Sequence, residues 1–269
     1  MSTSAGLNYE RRGNGDPVLL LHGLGGELGV WEPVVDALAA QRDVIAVDLP
    51  GFGASPPLDG GADPTPGAIA AALVPFLDEL GLERAHLVGN SLGAWVAFEL
   101  ALLGRALSVT ALAPAGLWGK PLKQRPERPG RWIGRRLLPL MPIVMRSKRA
   151  RRLLFRWTVA YPDRLSPLVA ARMARNYLQG PSYLAADAAM RRSRFTREDE
   201  LTIPVTIAWC EHDRQVGPPQ RELPWARIVT LPDCGHLPMW DGPGLTSRTI
   251  LEATATEGGR TRASASGEM

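Results

Sequence analysis

Cysteine is scarce. Cys210 and Cys234 are the only two thiols in 269 residues. Two cysteines cannot form a disulfide framework, and their separation is not that of a metal cluster, so free thiols in a reducing compartment and no metal site are expected. Long apolar runs are also missing. The longest in the middle of the chain, LLPLMPIVM at 137–145, carries two prolines and is too short to span a bilayer. The opening MSTSAGLNYERRGNG lacks the apolar core of a secretion signal. The expected protein is soluble and cytoplasmic. Acidic residues are rare in one region: 114–200 holds 20 Lys or Arg against 6 Asp or Glu, and the remainder holds 11 against 21. The formal net charge of +4 therefore hides a basic middle inside an acidic chain. No aromatic interleaving or known reading motif accompanies that charge, so nucleic acid is not an expected partner.

What is present is strand and helix in alternation. The hydrophobic content of 45% is ordinary for a chain that buries a core, and the length suits one large domain or one domain with an inserted lobe. PVLLLHG, RDVIAVDLPG, RAHLVGNS, ALSVTALAPAG, IPVTIAWCEHD and ARIVTLPDCGH are short runs rich in Val, Ile and Leu, each closed by Gly, Asp, Pro or His. They predict buried strands. Helix-like segments at 30–40, 66–80 and 91–103 lie between them. This pattern predicts an α/β fold with a mostly parallel central sheet and helices on both faces, so functional groups should gather at the carboxyl ends of the strands. The alternation stops after Gly116 and resumes near Ile203. We assign 1–116 and 201–252 to the core, 117–200 to a helical cap insertion, and 253–269 to a disordered tail of small polar residues. Gly and Thr in the final helix predict that it is loosely held.

The sharpest motif is GNSLG, Gly89 to Gly93. A strand that runs straight into a helix must turn sharply, which strains the residue at the apex and projects its side chain. Glycine is favoured two positions to either side because Cβ atoms there would clash. The following helix directs backbone N–H groups and positive dipole at whatever Ser91 attacks. A serine hydroxyl needs a base. Of the four histidines, His22 ends a strand, His86 begins one and His212 adjoins Asp213; the chain order Ser, acid, His selects His236 in the last loop. Asp213 is the expected acid, with Glu211 as the fallback. The N–H groups of Leu24, in the glycine-rich HGLGG, and of Leu92 are the expected oxyanion donors. His22 itself reads as a structural hydrogen-bonding residue.

These residues resemble the α/β-hydrolase fold family. HGLGG resembles its oxyanion loop, VDLPGFGAS its D-x-P-G-x-G-x-S segment, GNSLG its nucleophile elbow, WCEHDRQVGP its acid loop and GHLPMWDGP its histidine loop. The resemblance spans nearly the whole chain outside 117–200 and the tail, and the insertion after APAG sits where the family places its cap. It implies hydrolysis through an acyl-enzyme on Ser91, with no metal or organic cofactor.

The insertion is expected to roof a pocket for a small-molecule, mainly apolar substrate. Trp118, Trp132, Met141 and Met145 are its candidate lining, methionine being able to adapt to varied acyl groups. RSKRARRLLFRW, at 146–157, is basic and amphipathic, as for a helix resting on an anionic lipid surface; capture of an anionic substrate is the other reading. Two alternatives to ester hydrolysis stand at this point. GNS also resembles serine hydrolases that cleave carbon–carbon bonds of ring-fission products with a lid arginine, for which Arg191, Arg192 and Arg194 are candidates. The chain could otherwise be a non-catalytic, membrane-surface protein on a hydrolase scaffold.

Overall fold

A computed structural model describes residues 6–124, 129–219 and 221–255. Seven strands form one sheet: β1 (Tyr9–Arg12), β2 (Pro17–Leu21), β3 (Asp43–Val47), β4 (Ala85–Asn90), β5 (Ala106–Leu112), β6 (Val205–Cys210) and β7 (Arg227–Leu231). Their spatial order is β1-β3-β2-β4-β5-β6-β7. All neighbours are parallel except the β1/β3 pair. The apolar-run reading found six of these strands and missed β1. That strand, YERR, is an exposed edge with three exposed side chains, so it carries no hydrophobic run, and charge on an edge is what keeps it from pairing with another chain.

The inner strands are buried at nearly every position and mostly apolar because both faces are covered. In β2, Leu19 and Leu21 join one core cluster while Val18 and Leu20 join the other, as the two-residue period of a strand requires. Helices α1 (Glu32–Ala39), α2 (Pro66–Glu79) and α3 (Leu92–Leu102) alternate with the first strands. α2 and α3 pack together on one face, with Leu73, Phe76 and Phe98 buried there. α1 lies against α10 (Pro243–Ala253) on the other, over Trp31, Leu38 and Ile250. α10 is held firmly, contrary to the expectation from its glycines and threonines: Ile250, Thr246 and Thr254 are fully buried. Arg42 donates to the Thr254 hydroxyl and carbonyl at 3.3 and 3.1 Å. Tertiary packing overrides weak propensity here. Of the tail assigned to 253–269, residues 253–255 are thus part of this docked end, and the others lie outside the described residues.

Between β5 and β6 the described residues contain no strand. They hold α4 (Pro129–Arg136), α5 (Met141–Val144), α6 (Lys148–Phe155), α7 (Pro167–Gln179) and α8 (Tyr183–Arg191), followed later by α9 (Pro238–Asp241) in the core. The starts are legible chemically. Ser147 and Ser166 accept from the N–H of Ala150 and Val169 at 3.3 and 3.2 Å, as N-caps do. The two ends of the insertion are stitched together by Trp118 Nε1 donating to Ser193 O at 2.9 Å and Phe195 N to Gly116 O at 2.9 Å.

Candidate active site

A parallel sheet delivers all its carboxyl ends to one edge, and five loops meet there. At the end of β4 the backbone of Ser91 adopts φ 54° and ψ −114°, a conformation non-glycine residues avoid. It is imposed by the tight joint between β4 and α3. A Cβ on Gly93 would sit 2.1 Å from Leu21 O, and one on Gly89 would sit 2.3 Å from Gly93 C. The apex is fixed by its own backbone: Ser91 N donates to Leu112 O at 3.0 Å, and Ser91 O accepts from Ala94 N and Ala115 N, each at 3.1 Å. The strain is therefore held by the surroundings, and the hydroxyl makes no hydrogen bond among the described residues.

His236, in the loop between β7 and α9, meets Asp213, in the loop after β6. Nδ1 of the imidazole lies 2.7 Å from Asp213 Oδ2, and both side chains are almost completely buried. Oδ1 of the same carboxylate accepts from Gln215 N at 2.7 Å and Val216 N at 3.1 Å. A carboxylate only accepts, so Nδ1 carries the proton and Nε2 is left as a base. Glu211, the fallback acid, is exposed and accepts from Asp233 N at 3.0 Å instead. Asn90 ties the histidine loop to the serine turn: its Nδ2 donates to His236 O at 2.9 Å and to Leu112 O at 3.2 Å.

The glycine-rich turn after β2 closes on the same spot. A Cβ on Gly23 would lie 3.2 Å from Ser91 Cβ, so the turn touches the serine. Its shape is set by His22, which is fully buried. His22 Nε2 accepts from Leu49 N at 2.9 Å, so Nδ1 is the protonated nitrogen and donates to Gly23 O at 2.8 Å. Burial holds this imidazole below the ordinary histidine pKa, and it serves as a neutral staple. Asp48, at the start of the next loop, accepts from Leu28 N at 2.6 Å, Ala54 N at 2.8 Å and Asn8 Nδ2 at 2.8 Å. The N–H groups of Leu24 and Leu92 find no acceptor among the described residues. Leu92 is the first residue of α3, where a helix supplies no carbonyl.

The chain matches the model of the alpha/beta hydrolase family over residues 18–248. It belongs to that family. The epoxide hydrolase EphH of Mycobacterium tuberculosis is 35% identical over 190 residues, covering 65% of this chain and 87% of that protein. A pimeloyl-[acyl-carrier protein] methyl ester esterase of Aeromonas hydrophila is 43% identical over 99 residues, 36% of each chain. Among solved structures, a thermophilic esterase from Thermogutta terrifontis superposes with a TM-score of 0.68 at 26% identity, covering 93% of this chain and 94% of the other.

Sequence reasoning missed how this α/β hydrolase fastens its insertion to the loops of Asp213 and His236. Residues 156–161 lie along both. Arg214 Nη1 donates to Arg156 O at 3.1 Å, Gln215 Nε2 to Trp157 O at 2.8 Å and Leu237 N to Thr158 O at 3.0 Å. Asp241, five residues after His236, completes the seam: Oδ2 accepts from Gly235 N and Ala160 N, each at 2.8 Å, and Oδ1 from Tyr161 N at 3.1 Å. Gly235 must be glycine, since a Cβ there would lie 2.6 Å from Ala160 N. On the side of the glycine-rich turn after β2, Tyr183 of α8 lies against Gly25, where a Cβ would be 3.0 Å from the ring. Arg131 sits over the Tyr183 and Tyr177 rings at 4.6 and 5.9 Å.

The four residues expected to line the pocket are scattered. Met141 and Met145 are buried in the cluster that also holds Phe155, Val159 and Leu237. Trp118 packs edge-on against Trp95 at 5.8 Å at the start of the insertion. Trp132 stands on the outer surface, 56% exposed, beneath the guanidinium of Arg136 at 3.9 Å; α4 turns it away from the core. The arginines considered for carbon–carbon cleavage are engaged elsewhere. Arg191 is bonded to Asp187 at 2.9 and 3.0 Å, Arg192 to Asp63, and Arg194 Nη1 to Gly119 O at 2.8 Å. Both cysteines are free and buried, and burial pushes the Cys234 thiol up to about 11.

Proposed function

We propose that this protein is a serine hydrolase that cleaves the carboxylic ester of a small or lipid-like, mainly apolar substrate, with Ser91, His236 and Asp213 as its triad. The observation that carries the reading is the 2.7 Å Asp213–His236 pair, tied through Asn90 to a strained serine turn. In this reading His236 Nε2 takes the Ser91 proton as Oγ attacks the carbonyl carbon. Resting geometries often leave that contact long. Asp213 keeps Nδ1–H in place and stabilises the imidazolium. The unpaired N–H groups of Leu24 and Leu92 receive the oxyanion; one such donor is worth about 3–4 kcal/mol. Collapse expels the alcohol, which takes the proton from His236. Water, deprotonated by the same nitrogen, then releases the acid. Roofing by the 117–200 insertion, with Met141 and Met145 among its buried apolar residues, suits an apolar acyl group.

Two family relatives suggest different bonds, and the nucleophile chooses between them. A serine that opened an epoxide would be left as an ether, which has no carbonyl for water to attack. A serine acylated by an ester is released by water. Acyl chemistry is therefore the reading for Ser91, and the tied-up Arg191, Arg192 and Arg194 favour an ester over a ring-fission dienoate. Presenting p-nitrophenyl esters of rising chain length, styrene oxide and a ring-fission dienoate tests this. Ester turnover that Ser91→Ala reduces by several orders of magnitude is expected. Epoxide or dienoate hydrolysis outpacing every ester would overturn it.

A further inference from the structure

We infer that the outer face of the insertion, built on α5 and α6, docks onto an anionic phospholipid bilayer. Twelve of the fourteen large apolar residues that stand exposed among the described residues belong to 117–200. Residues 131–179 carry 12 Lys or Arg and one acid, Asp163. On α6 the two properties share a surface. Arg151 and Phe155 turn inward, while Arg149, Arg152, Leu153 and Leu154, and Arg156 and Trp157 just after the helix, face out. Leu153 is 63% exposed, and Ile143 of the neighbouring α5 is 64% exposed. The guanidinium of Arg156 lies 5.6 Å from the centroid of the Trp157 ring. A soluble surface normally mixes charges of both signs and scatters its apolar residues; cationic and apolar residues interleaved on one helix, with tryptophan, are the composition that settles at a headgroup boundary.

The face is rigidly presented. Buried Arg151 donates to the carbonyls of Met145, Arg146 (3.2 Å) and Asp163 (3.3 Å), fixing the α5–α6 corner from within. Its outward cations are available: among the described residues Arg146, Arg149 and Arg156 have no carboxylate partner. Like charge argues against a second copy placed face to face on this surface, and anionic headgroups supply the complement. No described helix is long and apolar enough to cross a membrane, so the contact is peripheral. It is independent of the chemistry at Ser91.

Co-sedimentation with phosphatidylcholine vesicles, with and without one quarter phosphatidylglycerol, tests it on the full chain. Binding to the anionic vesicles at low salt is expected, with little binding to pure phosphatidylcholine and release at high salt. Arg146→Glu/Arg149→Glu should weaken partitioning about tenfold or more, and Leu153→Ser/Leu154→Ser should also reduce it. Both should leave circular dichroism and hydrolysis of a soluble ester unchanged, and Ser91→Ala should bind as the wild type does. Absence of binding, or binding indifferent to both double variants, overturns the inference. So does a dimer in ultracentrifugation that Leu153→Ser dissolves, or DNA binding at lower protein concentration than vesicle binding.

Discussion

The two oxygens of Asp213 have separate duties. Oδ1 is fixed by the amides of Gln215 and Val216, which leaves Oδ2 aimed at His236 Nδ1. Glu211, two residues earlier, is longer and points to solvent. The sequence could not separate these acids by composition; loop position favoured Asp213, and the backbone cradle that distinguishes it appears only when residues 213–216 are folded. The expected consequence is a sharp contrast in kcat on p-nitrophenyl butyrate. Asp213→Asn keeps the shape but offers Nδ1 a donor as readily as an acceptor and should lose about 10⁴-fold. Glu211→Gln should stay within about twofold. Equal losses would show that the carboxylates share the task.

Elements of the core were legible because parallel strands buried on both faces are written as short runs rich in Val, Ile, Leu and Ala, and because the turn at Ser91 needs Gly89 and Gly93. Elements at the periphery were not. β1 is charged, α10 draws its order from Arg42 and α1, and the outward direction of Trp132 depends on how α4 packs. The seam through Asp241 was hidden for a similar reason: an acid beside Pro238 and Trp240 reads as an ordinary residue of a short helix. Asp241→Ala removes the acceptor of three backbone N–H groups and should lower stability by about 2–4 kcal/mol, measured as the urea midpoint. It should also lower kcat more than it raises KM, because the loop it releases carries His236. An unchanged midpoint would show that residues 156–161 are held by other contacts.

At the scale of the whole molecule, two buried histidines set a pH dependence. Burial lowers the pKa of His22 and of His86, which also meets Ser108 Oγ at 2.8 Å, below the ordinary 6.5. The unfolded chain takes up protons near that value while the folded chain does not, so stability falls as pH drops through 6.5. Each histidine contributes at most about 1.4 kcal/mol per pH unit. Burial raises Glu27 and Glu99 above 4.5, and they act in the opposite sense at lower pH. Urea midpoints between pH 7.5 and 5.5 should therefore decline, and His86→Gln should flatten the decline. A midpoint that rises over this interval would contradict the assignment.

Catalysis by Ser91 requires a covalent bond to one oxygen. Mixing the protein with p-nitrophenyl butyrate, quenching in acid within milliseconds and mapping the digest by mass spectrometry looks for it directly. The expected result is a burst of p-nitrophenol matching the enzyme concentration and one butyryl group on the peptide containing Ser91. Steady ester turnover with no acylated peptide, or acylation at any other residue, would contradict it.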